Sequence, residues 1–224
     1  DPTIRKKIVS DMKMGIPTRN SDPKDVMLLE FQRDSLNKLY KGKRLTEVAR
    51  LHGKNADETV LDLVAADRSP VAAIYYLMSE ENVKRIIQLP YMSFCSDAGS
   101  IPAEKPYNTK GTHPRTYGSF ARLLGKYVRE EKLISMEEAV RKLTSLPAIN
   151  LNIKKRGSLK IGNYADIVIF DAKTIKDNAT FEQPHQYATG MEHVFVNGTQ
   201  VLKDGQHTGA LPGKCVRGPG WLVR

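Results

Sequence analysis

The 224-residue sequence predicts an α/β fold, with parallel strands covered by helices over roughly the first two-thirds and a mainly antiparallel β region after it. Three observations predict this. Short unbroken apolar runs at 26–31, 71–78 and 92–96 alternate with helical patterns, as in strands buried on both faces. The texture changes near residue 152, where strand-like segments take over. Asn197-Gly198 sits between two such segments, a strong tight-hairpin signal.

The elements follow in order. Ile4, Ile8 and Met12 recur at helical spacing over 3–14, with Gly15 and Pro17 as a stop. Residues 26–31 read as a buried strand and 45–51 as a helix ending at Gly53. Asn55 can cap a helix over 57–66, with Val60, Leu61 and Val64 as its buried stripe. A strand at 71–78, a helix through Gln88 broken at Leu89-Pro90, and a strand at 92–96 come next. The stretch 98–114 has no periodicity, and loops of that length tend to be functional or disordered. Helices follow at 117–131 and 135–144, the second opening on a Ser135-Met136-Glu137-Glu138 capping box, with a shorter turn at 146–151. Residues 165–171 form a strong strand, and 192–196 with 199–202 form the hairpin.

Composition excludes several classes. Forty percent apolar residues with 16 Gly and 12 Pro fit a globular protein. No apolar run approaches the roughly 18 residues that cross a bilayer, so no membrane role is expected. Residues 1–10 lack the apolar stretch of a secretory signal, and two cysteines, Cys95 and Cys215, cannot build a disulfide framework, so a reducing, cytoplasmic setting is expected. The net charge of +10 is spread as +5, −3, +4 and +4 over 1–50, 51–100, 101–150 and 151–224. No basic block with interleaved aromatics appears, so no nucleic-acid partner is expected, and Lys154-Lys155-Arg156, the densest cluster, reads as a solvated surface. The length corresponds to about one and a half domains of roughly 150 residues. With a start at Asp1 rather than Met, this predicts a piece of something longer.

Few residues carry candidate chemistry. In a buried strand, Ser93, Cys95 and Asp97 would share one face, with Asp97 at the C-terminal end, where α/β barrels place catalytic groups. A carboxylate there can serve as general base or metal ligand; the motif alone leaves open an Asp capping the next loop. Cys95 reads as a small buried core residue. His113-Pro114-Arg115 closes the long loop, and the Arg115 fork suits a substrate carboxylate as well as an ordinary surface role. Tyr117 and Ser119 could line the same mouth. The five histidines form no i,i+2 pair and no HExxH, so no closed metal site is legible; His193 reads as structural and His185 as a loop element.

Taken together, Cys95-Ser96-Asp97, His113-Pro114-Arg115-x-Tyr117-Gly118-x-Phe120, Leu124-Gly125-x-Tyr127-Val128-Arg129-Glu130 and the run from Glu138 to Ala148 resemble the N-acyl-D-amino-acid deacylases (D-aminoacylases) of the amidohydrolase superfamily. So do Arg156-Gly157, Gly162-x-x-Ala165-Asp166-Ile167-Val168-Ile169-Phe170-Asp171, and the string from Ala179 through Asn197-Gly198. The resemblance runs along nearly the whole chain. It implies the C-terminal part of a metal-dependent hydrolase (β/α)8 TIM barrel over 1–151, followed by returning strands of a small β-sandwich over 152–224. It also implies zinc, with most ligands upstream of this chain on the missing N-terminal half of the barrel, and an N-acyl-D-amino acid substrate. Asp97 matches the family's metal-facing proton-transfer residue, and Arg115 matches the arginine expected to hold the substrate carboxylate, with His113 beside it on the substrate side. The expected reaction is amide hydrolysis, by the complete enzyme rather than the fragment alone. Cyclic-amide hydrolysis and a non-catalytic scaffold are the competing readings.

Overall fold

The computed structural model describes residues 1–13, 22–109 and 111–221, in two compact units. The first comprises Asp1–Ser79 with Pro106–His113, and the second Glu80–Lys105 with Pro114–Arg224. The second unit runs across position 151/152.

In the first unit, α1 (Pro2–Lys13) precedes β1 (Val26–Glu30), α2 (Asp34–Tyr40), α3 (Leu45–His52), α4 (Ala56–Asp67) and β2 (Ala72–Tyr75). The expected stop of the first helix at Gly15 and Pro17 lies outside the described residues. Asn55 caps α4 by accepting from the Glu58 N–H at 2.9 Å, as its residue type predicts. Arg5 ties α1 to α4 through Glu58 and, at 2.8 Å, Asp62. The core gathers Val26, Leu28, Phe31, Leu45, Val48 and Leu63. The buried stripe of α4 is Thr59, Leu63 and Asp67, whereas Val64 of the expected stripe faces solvent. The helix is rotated because its last residue is drawn inward.

Asp67 explains that rotation. Its buried carboxylate accepts from the Gln32 and Arg33 N–H groups at 3.0 and 2.9 Å, and from the Ser69 hydroxyl at 2.5 Å. This fastens the end of α4 beneath the exit of β1. The next strand therefore starts beside the end of β1 and runs back along it, pairing Ala72 with Glu30 and Tyr75 with Val26. The pair is antiparallel, which corrects the parallel arrangement expected from the apolar runs.

In the second unit, α5 (Glu80–Gln88) leads through an irregular segment to α6 (Arg115–Arg122), which continues into a π-helical stretch, Leu123–Glu130. Then come α7 (Met136–Leu143), α8 (Ser145–Asn150) and four strands, β3 (Ile167–Phe170), β4 (Met191–Val196), β5 (Thr199–Lys203) and β6 (Gln206–His207). The strands form one antiparallel sheet in sequence order, and the hairpin turns at Asn197 and Gly198, both at positive φ. Among the described residues this is a single layer. Ser135 caps α7 by accepting from the Glu138 N–H at 3.2 Å. Lys142 is wholly buried, and its ammonium donates at 2.5 Å to the carbonyls of Ile87 and Leu89. It thus neutralises the negative end of α5, while burial pushes its pKa below the usual lysine value and Glu138 offsets part of this.

Two close approaches join helix and sheet region. A Cβ on Gly118 would fall 1.8 Å from Asp177 Oδ1, and one on Gly125 would fall 2.6 Å from the Ile175 carbonyl oxygen. That carbonyl instead accepts from Arg129 Nη1 at 2.6 Å, and Asp177 accepts from the Ala179 N–H at 2.9 Å. Ile175 is fully buried in a core with Ile87, Leu124, Tyr127 and Ala139.

Gly118→Ala should lower stability by about 1–3 kcal/mol, because the new methyl must expel the Asp177 carboxylate; an unchanged urea midpoint would show that Asp177 steps aside freely. For Asp67, burial raises the carboxyl pKa, and the Ser69, Gln32 and Arg33 donors more than reverse this, leaving it below 3.8. A depressed folded pKa means stability present above the unfolded value, about 4, and lost as pH falls through the folded one. The first unit should therefore unfold more readily as pH drops below about 4, and Asp67→Asn should flatten that dependence in acid titrations followed by circular dichroism.

Candidate functional site

Asp97 lies within the irregular segment after α5, with its backbone in the left-handed region at φ 48°. The expected strand at 92–96 is absent; no strand among the described residues pairs with this stretch. Phe94 packs on the core near the Lys142 ammonium, 5.9 Å away. Cys95 is exposed rather than buried, so the shared strand face of Ser93, Cys95 and Asp97 is not formed.

The structure nevertheless brings Asp97 and Arg115 together. Arg115 is the first residue of α6, and its Nη2 lies 2.8 Å from Asp97 Oδ2. The Asp97 side chain is 75% exposed and that of Arg115 46%, so both can meet a ligand from solvent. His113 folds with the first unit, whereas Asp97 and Arg115 belong to the second.

The same unit holds an aromatic wall that starts from Tyr117, two residues after Arg115 on α6. The Tyr117 ring lies 5.9 Å from His185 and 5.7 Å, edge-on, from Tyr187. The Tyr187 hydroxyl donates to Glu104 Oε2 and accepts from the Ala103 N–H, each at 3.0 Å, strapping the loop after Asp97 to the wall. Tyr117 donates to the Pro102 carbonyl at 3.4 Å. Burial, followed by Tyr187 and Glu104, raises the Tyr117 pKa, and burial also leads the rise at Tyr187. Both stay neutral donors across ordinary pH. Tyr187 and Glu104 escaped the sequence reading, and His185 reads there only as a loop element; the available signal was two ring residues at i,i+2 in an otherwise polar loop.

Much of the remaining motif string is structural. Arg156 pairs with Asp166, donates to Asn197 Oδ1 at 2.6 Å and lies 4.3 Å over the Tyr164 ring. Asp166 accepts from the Asn197 N–H at 2.8 Å, which locks the hairpin tip. Burial raises the Asp166 pKa, but the Asn197 N–H and Arg156 together hold it below the ordinary value.

No three His, Cys, Asp or Glu residues cluster as a metal site among the described residues. The donor set here fits one contributed carboxylate, that of Asp97, and not a complete zinc site. No described helix is long and apolar enough to cross a membrane.

Residues 105–202 match the model of the family described as "Amidohydrolase family". The chain is 40% identical over 177 residues to an N-acyl-D-glutamate deacylase of Alcaligenes xylosoxydans xylosoxydans, a match covering 79% of this chain and 33% of that protein. A solved D-aminoacylase superposes with a TM-score of 0.68 at 34% identity, covering 83% of this chain and 36% of the other. An N-acyl-D-glutamate deacylase from Bordetella bronchiseptica, solved with zinc and a phosphonate mimic of the tetrahedral intermediate, gives 0.67 at 34% identity over 86% and 38%. The chain thus spans about a third of the length of the curated relatives it matches.

Proposed function

We propose that the chain is part of an amidohydrolase related to the N-acyl-D-amino-acid deacylases, which its similarity to that family model and to two such deacylases supports. The complete protein hydrolyses the amide bond of N-acyl-D-amino acids, releasing a carboxylate and a D-amino acid, with zinc as its metal. This chain supplies part of a TIM barrel over 1–151 and returning β-sandwich strands over 152–224. The setting is cytoplasmic, in keeping with two unpaired, exposed cysteines.

The Asp97–Arg115 ion pair carries the reading, because it unites the two chemically competent residues at one exposed point. The planar guanidinium fork matches the geometry of a carboxylate and can grip that of a substrate in bidentate fashion. Asp97, held beside it by one oxygen, accepts a proton from the hydrolytic water and later delivers it to the leaving amine. Arg115 thereby places the base within reach of an amide whose amino-acid half it also grips. Bound zinc would acidify the water and polarise the acyl carbonyl, with Asp97 facing it. Tyr117, His185 and Tyr187 form an apolar flank with fixed hydroxyl donors, and the strapped loop keeps that flank in shape.

In the complete enzyme, Asp97→Asn should lower kcat by about 10²- to 10⁴-fold with zinc content unchanged; near-normal kcat would remove Asp97 from proton transfer. Arg115→Ala should raise KM for N-acyl amino acids by about 10- to 100-fold, and an unchanged KM would move carboxylate recognition elsewhere.

A further inference from the structure

The basic cluster Lys154-Lys155-Arg156 plays no part in amide chemistry, yet the fold gives it a partner. Residues 152–156 and 214–219 converge on an open cleft of about 360 Å³ in the second unit. Lys154 and Arg156 of the first segment and Lys214 and Arg217 of the second line it, and no acidic side chain is among the lining residues. Arg156 is neutralised by Asp166. Among the described residues, Lys154, Lys214 and Arg217 have no acidic partner within 4.0 Å.

The two guanidinium groups are also oriented. Arg156 lies over the Tyr164 ring and Arg217 lies 4.1 Å over the Trp221 ring, within a turn closed by the Trp221 N–H on the Gly218 carbonyl at 3.1 Å. Stacking fixes each plane by its faces and leaves edge N–H groups as donors. Unpaired cations brought together repel one another, and an anion between them reverses the sign of that energy. The cations lie on two separate chain segments, so a ligand with two linked anionic groups serves both sides where a single anion serves one.

We propose that this cleft binds a small diphosphate-bearing anion, with Lys154 and Lys214 gripping it from the two segments and Arg217 completing the contact. The shared chemistry is the pyrophosphate group, whether free or carried by a nucleotide.

Isothermal titration of the full chain with inorganic pyrophosphate, orthophosphate and ADP tests it. Pyrophosphate should bind at one saturable site that weakens with added NaCl, and orthophosphate should bind at least about tenfold more weakly. Lys154→Glu and Lys214→Glu, both at exposed positions, should each weaken pyrophosphate by about tenfold or more. Lys155→Glu, an equal charge change outside the cleft lining, should retain most of the affinity. ADP binding equal to pyrophosphate identifies the phosphate chain as all that is read, and tighter ADP binding identifies a nucleotide carrier; both support the site. Absence of saturable pyrophosphate binding overturns the proposal. So does equal weakening by Lys155→Glu and Lys154→Glu, which would mark a diffuse surface field.

Discussion

The second unit depends on two close approaches made possible where side chains are missing. At Gly118 and Gly125 the helical layer has no Cβ, and the segment from Ile175 to Asp177 lies directly against it. The Asp177 carboxylate occupies the place a side chain would take, and Arg129 grips the Ile175 carbonyl across the same seam. That segment leads on to His185 and Tyr187, so the seam also decides where those rings meet Tyr117. The wall of Tyr117, His185 and Tyr187 is thus placed by packing that contains none of its own residues. Close-packed interiors transmit such constraints because they have few voids in which to absorb a shift.

Local chemistry was legible in the sequence and pairing was not. Asn55 and Ser135 cap the helices their residue types mark, and Asn197-Gly198 turns the hairpin it announces. These signals act over a few residues, where one side chain meets one backbone group. The direction of β2 was hidden because it follows from Asp67 reaching across to Gln32 and Arg33, a contact between residues far apart in sequence. An apolar run says that a strand is buried; it does not say which way its neighbour runs. The run at 92–96 failed as a strand for a related reason: without a ladder partner it packs as irregular chain. Helix α2 went unseen because it has no side-chain cap and buries no residue fully. The site divides in the same way. Asp97 and Arg115 could be picked out by residue type and motif, whereas Tyr187 and Glu104 became visible only once the loop was folded onto the wall.

The charged residues of the second unit fall into two kinds. Lys142, Arg156, Asp166 and Asp177 are spent on the fold, each holding backbone groups or partners in place while partly or wholly shielded from water. Asp97 and Arg115 are held to each other in the open, where the ion pair contributes little to stability. The same contrast between shielded and open charge sets Lys154 and Lys214 apart from Arg156.

The left-handed backbone at Asp97 also works as a filter on what the position can hold. Glycine, asparagine and aspartate adopt that conformation at little strain, and a longer or branched side chain does so far less readily. Of the three, only aspartate is anionic. Glutamate, its nearest chemical equivalent, is disfavoured there by the shape of the chain before any question of reactivity arises, so the geometry of one peptide narrows the choice of acid to the shorter of the two.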